Sequence, residues 1–363
     1  MTPEQREQMQ HHVSALAQIL YDDAEAKGMS MGSMGEIEQA VRAQLQSHVS
    51  PDLGNFFIEA RVGPDDGETR KLTSVVGTLQ VGREQAKQLG VKPRVQFSPL
   101  IELCCLQMGA QASFVRASQD VALLTGVNVS AKSVERMVAR NPMAADSPED
   151  EVGEIALDGG MVRLLTPQGE PSEWKQYKAL RLDGEGPGMA WFEEGNDALL
   201  SWVNSLCWGS VVFCLGDGHS GIWSVYKQME TTAERDEVLD WYHLMENLYK
   251  VGGSLKRLKQ ARELLWQGKV DEASALFEGL KSQQSQRFRG YLERHRTRIV
   301  NYSYYQQEGM PIGSGSVESL IKQIDARVQV TGAQWKPENV PQMLALRCAY
   351  LNNQLGLHSL TSG

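Results

Sequence analysis

The chain has 363 residues, of which 41% are hydrophobic and 22% are charged. These are ordinary values for a globular protein, and the length predicts two or three domains with a sizeable core. The net charge of −9 and the sequence pI of about 5.4 would, for the chain as a whole, argue against a nucleic-acid partner, because phosphates require clustered Lys and Arg.

The charge is unevenly distributed, however. Between Lys250 and Arg298, 12 Lys and Arg stand against 5 Asp and Glu, a local charge of +7, so the remainder carries −16. A basic segment inside an acidic protein indicates either a surface for a polyanion or a solvated helical face. Composition alone does not distinguish the two.

The five cysteines form no CxxC pair, and two of them, Cys104 and Cys105, are adjacent in an apolar run. This pattern predicts reduced thiols in a reducing cytosol and no zinc site. The first residues have neither a basic start nor an apolar core, and no apolar run reaches membrane-spanning length. We therefore expect a cytoplasmic protein without a membrane partner or a small-molecule cofactor.

Residues 1–95 are predicted to form a mainly helical N-terminal region. Thr2 and Pro3 are typical of a helix start, and apolar residues then recur at helical spacing. Alternation over Phe57–Val62 predicts a strand, and the run GPDDGE at 63–68 predicts a turn. No function is evident for residues 50–95.

Residues 96–143 are predicted to form a helix-turn-helix-like DNA-binding module. One helix begins at Ser98–Pro99, another ends at Gly126, and the last spans Ala131–Arg140. The last helix carries basic residues four apart: Lys132, Arg136 and Arg140. Two helices joined by a tight turn also occur as plain core or dimerisation structure. The acidic run at 144–151 is predicted to be a linker.

After the linker, the periodicity changes to alternation. EIALDGG predicts a strand that ends at Asp158, and strands MVRLLT and KQYKALRL follow. A helix at 193–208, a buried strand that ends at Asp217, a short strand EVLD and a helix from Tyr242 come next. By analogy, three strands followed by alternating helix and strand is the order of an RNase H-like fold. We expect an α/β domain from 152–245 and 308–350, with a helical basic insertion at 246–307.

Three carboxylates on separated elements are candidates for chemistry. Asp158 and Asp217 adjoin glycines at predicted strand ends, where sheets commonly build sites, although Asp-Gly is also a common turn pair. Glu318 lies in the first turn of a helix, four residues before Lys322, so it could equally form a solvated ion pair. Asp240 and His243, three residues apart, could share a site or act as a cap and a packed histidine.

Such carboxylates suit divalent metal ions with hard oxygen ligands. Two ions about 4 Å apart can stabilise the attacking and leaving oxygens of a phosphodiester displacement. Paired carboxylates also serve glycosidases, but the basic segment would have no use there.

Four segments in order resemble the catalytic domain of DDE-type bacterial insertion-sequence transposases, most closely the ISKra family. They are IALDGG, FCLGDGHSGIW, LDWYHLMENLY and IGSGSVESLIKQIDARVQVTGAQW, and the stretch 155–330 that contains them covers roughly half the chain. The resemblance of the helix-turn-helix region is weaker. The Cys-rich segment that related transposases often carry upstream is not visible.

The resemblance implies that Asp158, Asp217 and Glu318 are catalytic and hold two ions of Mg²⁺ or Mn²⁺. It makes Asp240 and His243 a supporting motif, and Arg327 and Trp335 substrate-side or packing residues. The implied protein cleaves and joins double-stranded DNA at element ends as a homodimer or higher multimer, associated with the bacterial nucleoid. The candidate DNA-binding residues are Lys132, Arg136, Arg140, Lys256, Arg257, Lys259, Arg294, Arg296 and Arg298.

Two alternatives remain open. The chain could be an RNase H-like nuclease that is not engaged in transposition. It could also be a non-catalytic DNA-binding protein derived from a transposase.

Overall fold

The computed structural model describes residues 1–65, 67–143 and 147–357, which fall into two compact units. The first comprises Met1–Asn141 with Gln354–Gly363, and the second Pro142–Asn353. Position 66 of the predicted turn and residues 144–146 of the predicted linker lie outside the described residues. Within the described residues, no helix combines the length and the apolar character needed to cross a membrane.

The first unit is mainly helical, with one small antiparallel hairpin. Its helices are α1 (Pro3–Ala26), α2 (Met34–His48), α3 (Ser50–Val62), α4 (Arg83–Gln88), α5 (Pro99–Gly109), α6 (Phe114–Thr125) and α7 (Ala131–Arg140). The hairpin strands are β1 (Thr69–Ser74) and β2 (Gly77–Gly82). Thr2 caps α1 through a reciprocal capping box with Gln5, as the opening residues indicate.

The strand predicted at Phe57–Val62 is wrong, because these residues belong to α3. Pro51 and Asp52 suit the first helical turn, and α3 then packs on β2. The approach is close at Gly54, where a Cβ atom would lie 2.5 Å from Leu79 Cδ2. Helical packing against the hairpin therefore overrides the local alternation.

The three helices α5, α6 and α7 enclose a common core. Buried apolar side chains from all three meet there, including Ile101, Val121 and Val134. Gly126 ends α6 in the left-handed region at φ 75°, and Ser130 caps α7. The helices predicted for 96–143 are present.

The described part of the second unit contains a five-stranded mixed sheet. Its strands are β3 (Val152–Arg163), β4 (Trp174–Leu182), β5 (Gly188–Trp191), β6 (Trp208–Gly216) and β7 (Glu234–Leu239). The order is β5-β4-β3-β6-β7. Strand β4 runs antiparallel to both of its neighbours, β3 and β5, whereas β3, β6 and β7 run parallel to one another. The expected α/β architecture with a mixed sheet is therefore present.

Two predictions about the sheet need correction. The two strands predicted around Asp158 form the single strand β3, which continues to Arg163 against β4. The short strand β5 was not predicted. Gly160 does not interrupt β3, because the ring of Tyr177 on β4 occupies the space above it, 2.2 Å from where a Cβ atom would lie. The glycine pair therefore serves close packing within the sheet and does not end the strand.

Helices pack against the sheet, and further helices form the chain segment that follows β7. They are α8 (Asp197–Val203), α9 (Ser220–Lys227), α10 (Trp241–Tyr249), α11 (Leu255–Trp266), α12 (Val270–Ala275), α13 (Gln283–Arg294), α14 (Tyr302–Gln307), α15 (Gly315–Val328) and α16 (Val340–Leu351). The helical segment predicted after β7 is thus present as α11–α14.

An aromatic cluster anchors the segment α11–α14 next to the sheet. The ring of Trp241, which begins α10, lies 4.7 Å from Trp266 and 4.8 Å from Tyr302, measured between centroids. Tyr302 also donates a hydrogen bond to the carbonyl of Leu239 at the end of β7. The segment is therefore fixed beside the carboxyl end of β7.

Candidate active site

Asp158 and Asp217 lie side by side at one edge of the sheet. In the parallel pair of β3 and β6, Leu157 faces Gly216, so the register continued by one residue places Asp158 beside Asp217. Neighbouring strands are about 4.8 Å apart, and positions in register share a face. The parallel pairing ends here while β3 continues against β4, so Asp158 lies inside a long strand but beside the open end of β6.

The carboxyl group of Asp158 is half-buried among other acids. Burial raises its pKa, and the neighbouring charges of Asp217 and Glu318 raise it further, whereas a hydrogen bond from the Gly159 backbone and the charge of His243 act the other way. Its Oδ1 accepts the Gly159 hydrogen bond at 2.7 Å. Asp217 and Glu318 therefore both lie within electrostatic reach of Asp158.

Glu318 reaches this edge because α15 is fixed to the sheet along its length. Toward its C-terminal end, Tyr177 of β4 donates a hydrogen bond to Asp325 Oδ1 at 2.8 Å, and Gln329 Nε2 donates to the carbonyl of Met161 at 2.7 Å. Glu318 lies two turns before Asp325 and projects near Asp158.

The side chain of Glu318 is engaged with Lys322, at 2.7 Å between Oε1 and Nζ. Among the residues that the structure describes, no group of three or more His, Cys, Asp or Glu side chains is arranged to hold a metal ion. Three close carboxylates repel one another, and each here faces another donor: Lys322 for Glu318, and backbone N–H groups for Asp158 and Asp217. The acids are near one another without forming a closed ligand set.

Asp240 lies one strand further along the same edge but has a different environment. It follows Leu239, which faces Gly216 in the β6–β7 pair, and is 2% exposed. Its Oδ1 accepts the backbone N–H of His243 at 2.7 Å, and its Oδ2 accepts both the N–H and the hydroxyl of Ser314. Because Ser314 is the N-cap of α15, Asp240 ties the helix that carries Glu318 to the end of β7.

His243 forms an ion pair with this buried carboxylate. Its Nδ1 lies 3.2 Å from Asp240 Oδ1, although the two are not aligned as a hydrogen bond. Close polar contact with Asp240 raises the pKa of His243 to about 9 against the opposing effect of burial. Burial would raise the pKa of Asp240, but the contacts with His243 and Ser314 hold it below its ordinary value. The pair is therefore charged at neutral pH.

Arg327 is buried in the second unit, and Trp335 is half-buried beside it. The Arg327 guanidinium, in a side chain 2% exposed, lies 5.1 Å from the Trp335 ring centroid. The Trp335 indole donates to the carbonyl of Val328 at the end of α15, and its backbone pairs with the end of β3. Of the two roles expected for these residues, this geometry corresponds to packing.

A basic pocket of about 410 Å³ opens between α10 and α13. Three cations line it: Lys250, Arg287 and Arg294. The same pocket is lined by Tyr291, whose ring lies against Gly218, 2.4 Å from where a Cβ atom would be. Burial and the charges of Asp217 and Asp240 raise the pKa of the Tyr291 phenol. The pocket thus adjoins the carboxylate edge through one tyrosine.

The other basic residues of this segment differ in whether their side chains are exposed or already paired within the fold. Lys256 and Lys259 are exposed and Arg257 is half-buried on α11. By contrast, Arg296 forms an ion pair with Asp271, and Arg298 lies 2.6 Å from Glu237 and over the Trp223 ring. These last two guanidinium groups are engaged within the fold.

In the first unit, the three candidate DNA-binding cations on α7 also differ in their surroundings. Lys132 forms an ion pair with Glu135 at 2.8 Å, and Arg136 is exposed. Arg140 lies 2.9 Å from Glu102, whose side chain is almost fully buried. Arg140 therefore neutralises an interior carboxylate of its own unit.

Sequence reasoning did not single out Ser314, Tyr291 or the grouping of Lys250 with Arg287. Ser314 had a detectable signal, since it immediately precedes the Gly315 start of a helix. No local pattern indicates that Tyr291 of α13 contacts Gly218, because the two lie more than seventy residues apart.

Comparisons with protein-family models and with functionally characterised proteins find no match for this chain.

Proposed function

We propose that the second unit is an RNase H-like catalytic domain and that the chain is a DDE-type transposase, which cleaves and joins DNA at the ends of an insertion sequence. One observation carries the proposal: the register of β3 and β6 places Asp158 beside Asp217, and Glu318 of α15 lies within electrostatic reach of Asp158. The strand directions support it, since three antiparallel strands precede alternating helices and strands.

The donor chemistry of the site fits divalent metal ions. Asp158, Asp217 and Glu318 offer carboxylate oxygens, the ligands that Mg²⁺ and Mn²⁺ prefer. Burial and acidic neighbours disfavour the ionised form of Asp158, and a cation held there would reverse this effect. When bound, two ions would stabilise the attacking and leaving oxygens of a phosphodiester displacement.

The surrounding residues position the acids and the DNA. Asp240 holds the N-terminus of α15 through Ser314, and so holds Glu318 near Asp158. The charged imidazole of His243 supplies a positive charge that stabilises Asp158 in its ionised form. Arg287 and Arg294, for which the described residues show no ion pair, would bind phosphates of the strand that enters the site beside Tyr291.

The test is metal-dependent cleavage by the purified full chain. The substrate is a supercoiled plasmid carrying the DNA that flanks the coding region, incubated with Mg²⁺, with Mn²⁺, or with EDTA. We expect metal-dependent nicking that is lost in Asp158→Asn, Asp217→Asn and Glu318→Gln but kept in Glu308→Gln, an exposed control glutamate. Normal cleavage by the three site variants would contradict the site assignment.

A second assay separates transposition from the alternatives. A labelled duplex with a free 3′-hydroxyl at an element end is incubated with an unlabelled target plasmid. Label joined to the plasmid supports a transposase, whereas cleavage without joining supports an RNase H-like nuclease outside transposition. Binding with neither reaction supports a non-catalytic DNA-binding protein. Only the first outcome would support the expected nucleoid-associated cytoplasmic location and a multimer that joins two ends.

A further inference from the structure

A basic cleft of about 820 Å³ lies in the first unit, within residues 68–94, the region for which the sequence suggested no role. The hairpin β1–β2, the helix α4 and the loop after it form its walls. The cations that line it are Arg70, Arg83, Lys87, Lys92 and Arg94.

The charge of this cleft is opposite to that of the protein. From Glu68 to Arg94 the chain carries six Lys and Arg against two Glu, in a protein of net charge −9. Within the described residues, Arg83, Lys87 and Arg94 form neither ion pairs nor side-chain hydrogen bonds. Unpaired cations held together repel one another, so an anionic ligand would stabilise this arrangement.

The walls of the cleft are built from ordered structure. Its buried residues Val81 and Ala86 belong to a small apolar core with Leu72 and Val95. Two basic side chains are used to fix the loop: Arg70 donates to the carbonyl of Lys92 at 3.0 Å, and Lys92 Nζ lies 3.3 Å from Asn141 Oδ1. The remaining three cations are therefore presented from a defined scaffold.

We propose that this cleft binds the phosphate backbone of duplex DNA. Its three free cations come from α4 and from the loop after it, and several separate cations suit a polymer of phosphates better than a single compact anion. The described residues that line it include no aromatic side chain, so stacking of unpaired bases has no platform here. Such contacts position DNA without reading its sequence.

The experiment measures the affinity of the full chain for a labelled duplex of random sequence across a range of salt concentrations. The variant Arg83→Ala/Lys87→Ala removes two exposed cations one helical turn apart on α4. The control Arg6→Ala/Arg61→Ala removes two exposed cations of the same unit that do not line the cleft. Because each phosphate contact contributes about 0.9 to the slope of log affinity against log salt, the cleft variant should lose about 1.8 from that slope.

The control variant is expected to keep the slope of the natural chain, with circular dichroism showing that both variants are folded. An unchanged slope in the cleft variant, or an equal loss in the control, would overturn the proposal. Tighter binding of poly-glutamate than of the duplex, lost in the cleft variant alone, would assign the cleft to an acidic protein and would also overturn it.

This inference goes beyond catalysis and can fail separately from it. The same titration is repeated in an Asp158→Asn background, in which the proposed reaction is abolished. Cleft-dependent binding that persists there supports the cleft whether or not the chain cleaves DNA. Cleavage with no dependence of binding on the cleft would leave the catalytic proposal standing and refute this one.

Discussion

Two parts of one sheet edge carry the same residue type in opposite surroundings. At the ends of the β3–β6 pairing, Asp158 and Asp217 are partly exposed and each accepts a local backbone hydrogen bond. One strand further, at the end of β7, Asp240 is buried and accepts hydrogen bonds from His243 and from both donors of Ser314.

The difference separates a carboxylate that is available for a ligand from one that holds the fold together. Burial and, after it, acidic neighbours disfavour the charge of Asp158, whereas the donors around Asp240 favour its charge. Position at a strand end therefore does not by itself indicate a reactive acid, and the number of protein donors around the carboxylate decides its role.

The largest expected effect is on DNA cleavage and comes from changing Asp158. Asp158→Asn should lower DNA cleavage by about a thousandfold or more, as loss of a group that acts only in the reaction does. Its free energy of unfolding should stay unchanged or rise by less than about 1 kcal/mol, because a half-buried carboxylate with acidic neighbours is removed. Cleavage rates and urea denaturation measure the two quantities. A large loss of stability would mean that Asp158, like Asp240, is structural.

The next effect is on stability and comes from changing the buried Asp240. Asp240→Ala should lower the free energy of unfolding by about 3 kcal/mol, since it leaves Ser314 donors and a charged His243 without their buried partner. Urea denaturation measures it, with Asp240→Asn as the conservative comparison. If Asp240→Ala were as stable as the natural chain but inactive, Asp240 would belong with Asp158 and Asp217.

A smaller effect depends on pH. The pKa of His243 is about 9 in the folded protein, above its ordinary value of 6.5, so its ion pair stabilises the fold fully below pH 6.5 and is lost as the pH rises through 9. The stability difference between the natural chain and His243→Gln should therefore be about 1–2 kcal/mol larger at pH 6 than at pH 9.5. Thermal or urea unfolding at both pH values measures it. A difference that is constant with pH would show that the ion pair contributes nothing.

The smallest expected effect tests whether Glu318 can act together with Asp158 and Asp217. Lys322→Ala removes an exposed ion pair, so it should change stability by less than about 0.5 kcal/mol. It should nevertheless lower the Mg²⁺ concentration needed for half-maximal cleavage, because Glu318 no longer faces a competing cation. Lys336→Ala, at another exposed lysine outside α15, is the control. An unchanged metal requirement would indicate that Glu318 does not act with the metal.

Local sequence patterns predicted much of the fold. The long helices of the first unit, the apolar strand before Asp217 and the helices after β7 are present because their periodicity and caps agree with their packing. The strand predicted at Phe57–Val62 failed because packing of α3 on the hairpin decided that segment. The break predicted after Asp158 failed because the glycines make room for Tyr177 within a continuous strand.

The sequence by itself determined which side chains could do chemistry, since strand ends, glycines and a helix start mark Asp158, Asp217 and Glu318 within short windows. Only the tertiary structure decided how the acids divide their roles. Asp240 is occupied because Ser314, 74 residues away, donates two hydrogen bonds to it. The burial, the charge and the hydrogen bonds that distinguish these carboxylates come from residues distant in the chain, which no local pattern records.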